Sequence, residues 1–208
     1  QNKLMQSQNS LNLSNGIFFK LKSSFKKLYK NSNFYEKRIS KTFDNNFDYK
    51  PSPHLLSSII KYQKKKYKIE DFATETIWKN NISSKDFKKL NNFFWFFSLD
   101  LKSSKKTTQT IILNWINKNE KFDENIWEFN ITAKRIIAWL SNHQLTYEDS
   151  NKEYRFFFNH MLQKQTNHLL NEIKNLDETE EKLIGCAAII LTGLEYKDEK
   201  NYLESGLN

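Results

Sequence analysis

The stretch NFFWFFSLDL (residues 92–101) opens the region of the chain that decides the fold. This region continues through the run IILNWI (111–116) and Trp127 to the segment TAKRIIAWLSNHQL (132–145). It contains four of the five tryptophans, and aromatic side chains bury more apolar area than most others. In a chain this polar, we therefore expect residues 92–145 to form the start of the hydrophobic core.

The composition favours a globular, helical protein. The chain has 208 residues, of which 38% are hydrophobic and 15% aromatic, and this is enough apolar surface to build a core. Four Gly and two Pro are too few for the many tight turns of a β-sandwich or barrel, so long helices joined by polar loops are expected. The single cysteine, Cys186, excludes an internal disulfide and leaves the redox compartment open.

The net charge of +9 is distributed unevenly along the chain. Residues 1–68 contain 15 Lys or Arg and 3 Asp or Glu, which gives +12, and the rest of the chain carries −3. Lys, Asn, Ile and Phe are abundant while Ala, Gly and Arg are sparse, so part of the Lys excess is attributed to AT-rich coding. The region expected to form the core is not basic.

The charge pattern predicts an N-terminal arm. Residues 1–14 are rich in Gln, Asn and Ser and are expected to be disordered. Residues 15–66 are expected to form a basic amphipathic helix and a connector, because apolar residues recur at helical spacing between lysines. The residues of this pattern are Phe18, Leu21, Phe25 and Leu28, with Lys20, Lys22, Lys26, Lys27 and Lys30. Two interpretations stay open: a helix docked on the protein body, or one that contacts an anionic membrane surface or a nucleic acid.

Residues 67–208 show regular helical patterns. Helices are predicted over 107–117, 130–145, 154–173 and 179–194, with Ser150 and Glu153 as a capping pair for the third. The helix over 179–194 is apolar nearly all round and is expected in the centre of the domain. Short polar loops make antiparallel neighbours, so the predicted fold is all-α, as in a bundle or an α/α toroid.

One polar and aromatic stripe is a candidate binding surface. Arg135, Trp139 and Asn142 lie at i, i+4 and i+7 of a predicted helix, so they share one side of it. A guanidinium can pair a carboxylate, an indole can stack on a sugar ring and an amide can bond hydroxyls, which suits an anionic sugar. The alternative is that Arg135 pairs with an acid on a neighbouring helix and Trp139 belongs to the core.

The other polar candidates are weaker. The Asn142 and His143 pair resembles an acid/base dyad, but a His near a helix C-terminus is also a favourable partner of the helix dipole. Gln165 and His168 are interpreted as buried, hydrogen-bonded groups, since no partner at metal-ligand spacing supports zinc. Phosphate-binding Gly loops and hydrolase or metalloprotease motifs are absent from the sequence, and no cofactor is expected.

An ordered series of single residues resembles the N-terminal region of bacterial heparinase II/III-like proteins. In chain order, the series is Trp78, LNNFFWFFSLDL (90–101), Trp115, Trp127, AKRIIAWL (133–140), QTNHL (165–169) and residues 187–194. The match covers residues 67–208. It rests on these separate positions and not on one signature motif.

The resemblance implies an incomplete α/α toroid at 67–208, followed in the full-length protein by a C-terminal β-sandwich domain absent from this chain. It implies a periplasmic or envelope polysaccharide lyase that acts on uronate-containing polymers, with no nucleic acid as partner. The chemistry is β-elimination, in which a polar residue, usually Asn, neutralises the uronate carboxylate. A Tyr or His then removes the C5 proton and a Tyr protonates the leaving oxygen.

The sequence departs from the family pattern at the expected catalytic position. The characterised lyases commonly carry an Asn-His pair in the loop before the apolar toroid helix, where this chain has DETEEK (177–182). No catalytic residue is therefore assigned, and the remaining ones are expected beyond Asn208. The nominated substrate-binding residues are Trp95, Trp127, Arg135, Trp139 and Asn142. A non-catalytic glycan-binding scaffold is the alternative function, besides a basic module for nucleic acid or membranes.

Overall fold

A computed structural model describes residues 20–41, 84–99, 104–196 and 200–207. Within these ranges all regular secondary structure is helical, which confirms the predicted all-α class. The predicted disordered segment at 1–14 lies outside the described residues, as does the predicted domain boundary at residues 66 and 67.

The described ranges contain nine α-helices and two short 3-10 helices. The α-helices are α1 (20–30), α2 (Asn33–Ile39), α3 (Ser84–Asn91), α4 (Lys105–Lys118), α5 (Phe129–Ser141), α6 (His143–Thr146), α7 (Lys152–Glu172), α8 (Thr179–Glu195) and α9 (Lys200–Leu207). The 3-10 helices are Phe94–Ser98 and Ile173–Asn175.

The chain divides into two compact units between Arg38 and Ile39. In the first unit, the helix predicted from the lysine pattern is interrupted by a turn at Ser32. The Ser32 hydroxyl donates to the carbonyl of Tyr29 (2.6 Å) and accepts from the backbone N–H of Tyr35 (3.3 Å). One serine therefore ends α1 and caps α2.

In the second unit, α5 is the central helix. Eleven of its 13 residues are buried, and it packs against α3, α7, α8 and the 3-10 helix Phe94–Ser98. The prediction that the helix at 179–194 occupies the centre is wrong. This helix, α8, buries six of its 17 residues, and Leu183 on its outer side is 65% exposed. The apolar composition of α8 therefore belongs to a helix with one buried face and one partly exposed face.

Helix α7 runs antiparallel to both α5 and α8, its packing neighbours, as predicted. Arg135 of α5 donates a hydrogen bond to Gln165 of α7. Four residues further along α5, Trp139 stacks on Phe158, which is about two turns nearer the start of α7. Between α7 and α8, the hydroxyls of Thr166 and Thr192 are 3.0 Å apart. The antiparallel order follows from the short connections between these helices.

Glycine allows α9 to lie close against α8. A Cβ atom added at Gly193 would meet the backbone nitrogen of Leu203 at 2.7 Å, and one at Gly206 would meet the side chain of Ile190 at 2.6 Å. Real Cβ atoms do not approach backbone so closely, so a side chain at Gly193 would push the two helices apart.

The cap of α7 differs from the predicted one. The side chain of Asn151 accepts a 2.8 Å hydrogen bond from the backbone N–H of Tyr154 and so occupies the N-cap. Ser150, predicted to cap with Glu153, instead donates its hydroxyl to the carbonyl of Tyr147 and accepts from Arg155. Ser and Asn are both good caps, and spacing alone did not separate two adjacent candidates.

Phe93 lies where several aromatic side chains of the core meet. Its φ of 57° is left-handed, which is costly for a bulky residue. The ring is fully buried and makes edge contacts with Trp115 (5.9 Å between centroids) and Trp139 (5.4 Å). The side chain of Asn92 accepts from the backbone N–H of Phe94 and holds this turn. Burial of the ring offsets the backbone strain.

Candidate functional site

The five nominated residues all lie in the interior of the second unit. Trp127, Arg135 and Trp139 are at most 1% exposed, and the most exposed of the five, Asn142, reaches 7%. The structure brings Arg135 and Trp139 to one cluster around Trp115, which both contact. None of the five presents an open face on which a sugar ring could stack.

Arg135 is the centre of a hydrogen-bond network that joins several segments. Its Nε donates to the side-chain oxygen of Gln165 on α7 (2.6 Å). Its Nη1 donates to the carbonyls of Asn91 at the end of α3 (2.7 Å) and of Ile126 before α5 (3.2 Å). Its Nη2 lies 3.3 Å from the hydroxyl of Thr132. One side chain therefore connects α3, α5, α7 and the loop before α5.

The partners of Arg135 are all uncharged. The acidic partner considered from the sequence is not among them, and the fifth contact is the ring of Trp115, whose centroid lies 4.2 Å from the guanidinium carbon. Burial lowers the pKa of Arg135 well below its usual range. Carbonyl and amide dipoles and an aromatic face thus replace the water that a guanidinium normally holds. This arrangement suits a role in fixing the fold, and the guanidinium is fully buried.

Trp95 and Trp139 are packed as core residues. The indole N–H of Trp95 donates to the carbonyl of Leu90 (3.2 Å). Trp139 contacts Phe93, Trp115 and Phe158 with its ring, and its own indole N–H has no hydrogen-bond partner. The structure therefore agrees with the alternative in the sequence analysis, that Trp139 belongs to the core.

Trp127 and Asn142 are tied into the ends of α5. The backbone carbonyl of Trp127 lies 2.8 Å from Nε2 of His168, and the two rings meet edge to face. Asn142, the C-terminal cap of α5, donates its amide to the carbonyl of Ala138 (2.8 Å). His168 and Gln165, predicted as buried hydrogen-bonded groups, are such groups.

Lys164 is a buried cation that sequence reasoning missed. The residue is 1% exposed, and its ammonium donates to the carbonyl of Glu120 and lies 5.5 Å from the centroid of Trp127. A lone lysine on a long helix is usually solvated, and no sequence signal marked this one. Lys164 and Arg135 are thus two buried basic side chains that each lie against a tryptophan ring, Trp127 and Trp115 respectively.

Glu195 is the second group that the sequence did not reveal. It ends α8, is fully buried, and neither carboxylate oxygen has a hydrogen-bond partner. Burial raises its pKa to about 8, so this carboxyl is protonated at neutral pH. The helix C-terminus, where carbonyl groups point outward, also disfavours a negative charge. The predicted helix ends one residue earlier, at 194, and Glu195 was not among the residues considered from the sequence.

A phenol and amide cluster lies beside Glu195. The hydroxyl of Tyr196 donates to the side-chain oxygen of Asn159 (3.1 Å), and the amide nitrogen of Asn159 donates to the hydroxyl of Tyr147 (3.3 Å). Burial raises the pKa of Tyr196 well above its usual range. Asn159 is only partly buried, so it is the member of this cluster nearest to solvent.

The described residues contain neither a metal-binding cluster nor a helix able to span a membrane. Within them, no three His, Cys, Asp or Glu side chains come together as a metal site. No helix among them combines the length and apolar character that crossing a membrane requires.

Comparisons of the chain with protein-family models, with curated proteins and with solved structures return no match.

Proposed function

We propose that this chain forms the α/α-toroid portion of a heparinase II/III-like polysaccharide lyase. In the full-length protein, that enzyme would cleave uronate-containing acidic polysaccharide by β-elimination. The observation that supports this most directly is the network around Arg135, because its members are residues on which the sequence resemblance rests.

Five members of the resemblance are distant in sequence but adjacent in space, whereas Trp78 lies outside the described residues. The side-chain oxygen of Asn91 accepts from the indole N–H of Trp115 (2.9 Å), and the carbonyl of Asn91 accepts from Arg135. Gln165 accepts from the same guanidinium, and Trp139 meets Trp115 edge to face. Asn, Arg and Gln side chains are mostly exposed in folded proteins, so the shared burial of Asn91, Arg135 and Gln165 is the part of this pattern that supports the proposal. A match to fold-determining positions would place them together.

The proposal gives the five nominated residues a supporting role. Because they are buried, Trp95, Trp127, Arg135, Trp139 and Asn142 would fix the helices that carry the substrate cleft, and they would not themselves contact the polymer. The toroid arrangement is part of the proposal, and the antiparallel pairs that α7 forms with α5 and with α8 support it. Periplasmic or envelope localisation is proposed with it, since acidic polysaccharides of this kind lie outside the cytoplasm.

The chemistry would be supplied by residues outside this network. β-Elimination needs a group that neutralises the uronate carboxylate, a base for the C5 proton and an acid for the leaving oxygen. The network around Arg135 offers none of these at a surface. The catalytic groups are therefore proposed to lie outside this network, in other parts of the full-length protein.

The decisive experiment uses the longest protein that the reading frame encodes. It is incubated with a panel of uronate polysaccharides, and ultraviolet absorbance of the conjugated unsaturated uronate is followed. We expect absorbance to rise on at least one polymer and not on neutral glucans. If the folded protein gives no rise on any polymer but binds one in titration calorimetry, it is a glycan-binding scaffold. If it neither cleaves nor binds, the proposal fails.

A further inference from the structure

Helix α1 exposes its apolar side chains to solvent. Leu21 is 52% exposed, and Phe25 and Leu28 are each 69% exposed. At 100° per residue, these three and Tyr29 fall within an arc of about 100° on one side of the helix. The apolar face is continued by Phe34 of α2, which is 70% exposed and whose ring centroid lies 6.3 Å from that of Tyr29.

The opposite side of α1 is basic. Lys20, Lys22, Lys26, Lys27 and Lys30 occupy the rest of the circumference, and residues 20–30 contain no acid. Over the described residues 20–41 there are eight Lys or Arg and one acid, Glu36. An apolar arc between rows of lysine is the pattern of a helix that lies in the plane of a lipid interface.

We propose that α1 binds the surface of an anionic lipid bilayer. The helix lies parallel to the membrane plane, with Leu21, Phe25 and Leu28 inserted among the acyl chains. The lysines extend along the interface to lipid phosphates, because their long stems allow the ammonium groups to reach the headgroups.

An anionic bilayer uses both sides of α1. A nucleic acid would neutralise the lysines, but it would leave Phe25 and Leu28 in water. A second copy of the chain would cover the apolar arc, but it would bring two rows of lysine together, which is unfavourable. The anionic bilayer buries the arc and pairs the lysines in one orientation.

The turn after α1 supports the same geometry. Arg38 of α2 donates to the phenol oxygen of Tyr29 (3.3 Å), and the ring of Tyr29 also meets that of Tyr35 edge to face. These contacts fix Tyr29 between the two helices and hold Phe34 next to it. The apolar face is therefore preformed over two helices, which reduces the ordering cost of binding.

The test measures binding of the full 208-residue chain to vesicles by co-sedimentation. Vesicles of phosphatidylcholine alone are compared with vesicles that also contain phosphatidylglycerol. Two variants test the two sides of α1 separately. The first combines Phe25→Ser with Leu28→Ser and removes the apolar arc. The second replaces Lys20, Lys22, Lys26 and Lys27 by Gln and removes most of the positive charge of α1. Circular dichroism confirms that each variant keeps the fold.

Matched controls change the same chemistry elsewhere. Phe156 and Leu183, each 65% exposed in the second unit, are replaced by Ser as the apolar control. Four exposed lysines of the second unit are replaced by Gln as the charge control, namely Lys106, Lys121, Lys152 and Lys174. Both controls should bind like the unaltered chain.

We expect binding to the anionic vesicles only, and loss of that binding at high salt. The Lys→Gln variant should bind more weakly by on the order of several hundredfold, because each of its four missing lysines would contribute to the attraction to anionic lipid. The Ser variant should bind about a hundredfold more weakly or worse, because the insertion of two large apolar side chains is lost. If the chain does not bind anionic vesicles, or if the Ser variant binds as well as the unaltered chain, the proposal is overturned. In the second case a purely electrostatic partner such as nucleic acid takes its place. Vesicle binding is read without any polysaccharide, so it is independent of lyase activity.

Discussion

Arg135 and Glu195 are both buried, ionisable side chains of helices that pack together, yet their surroundings are opposite. Arg135 meets four oxygen acceptors from three helices and a loop, and an indole ring lies beneath it. Glu195 meets no donor, and burial raises its pKa to about 8. The interior therefore accommodates one charge by surrounding it with dipoles and avoids the other by keeping it protonated.

The largest expected effect is the loss of Arg135. Arg135→Leu removes the cation but leaves the acceptors on Gln165, Asn91 and Ile126 buried and unpaired, so the free energy of unfolding should fall by about 3–5 kcal/mol. Urea denaturation measures this difference. Arg135→Lys keeps the charge but not the fork of donors, and it should also be strongly destabilising. A loss below about 1 kcal/mol would mean that the network does not hold the helices.

The second effect concerns pH. Because burial raises the pKa of Glu195 from 4.5 to about 8, the native state keeps a proton that the unfolded chain loses between these values. The free energy of unfolding should therefore fall as pH rises through this window, by up to about 1.4 kcal/mol per pH unit, and then level off above it. Glu195→Gln should remove this slope and stabilise the protein at neutral pH.

Glu180 provides the control for this pH dependence. It is exposed on the first turn of the same helix, so Glu180→Gln should leave the slope unchanged. Denaturation of both variants at several pH values separates the two positions. A slope that persists in Glu195→Gln would place the titrating group elsewhere.

A smaller effect is expected for the acceptor of Arg135 on α7. Gln165→Leu leaves Nε of the guanidinium without its partner, and this should cost about 1–3 kcal/mol in urea denaturation. Gln165→Glu instead supplies a carboxylate, which tests whether the site prefers an ion pair to a neutral acceptor. If Gln165→Leu and Arg135→Leu destabilise additively in the double variant, the two side chains are not coupled.

The smallest effect is expected at the N-cap of α7. Asn151→Ala removes the cap of α7 and should cost about 1 kcal/mol, while Ser150→Ala, next to it, should cost less. The two variants differ by one position and are compared by thermal denaturation. The reverse order would restore the capping pair predicted from the sequence.

Much of the fold could be predicted from the sequence because helices carry periodic signals. The helices predicted at 107–117 and 154–173 correspond to α4 and α7, with boundaries that differ by one or two residues. The all-α class followed from the scarcity of Gly and Pro and from these periods. Which helix occupies the centre did not follow, because α8 is more apolar than α5 but α5 is the more buried.

The candidate site was less predictable because its contacts join residues that are far apart in the sequence. Spacing correctly placed Arg135 and Trp139 on one side of a helix, but it could not show that Asn91 and Gln165 would surround the guanidinium. Glu195 was missed for the same reason, since nothing local distinguishes a buried carboxyl from a solvated one. The charge of α1 was visible in the sequence, whereas its exposed apolar side chains became apparent only in the structure.

The network around Arg135 also bears on the order in which the chain assembles. Its acceptors come from positions 44 residues before the arginine and 30 residues after it. If Arg135 were buried before α3 and α7 had docked on α5, its guanidinium would lose its hydrating water without gaining its hydrogen-bond acceptors. Partly assembled forms should therefore keep Arg135 in solvent, and its burial should come late in folding. The same side chain that joins the helices would then make their docking a single cooperative step.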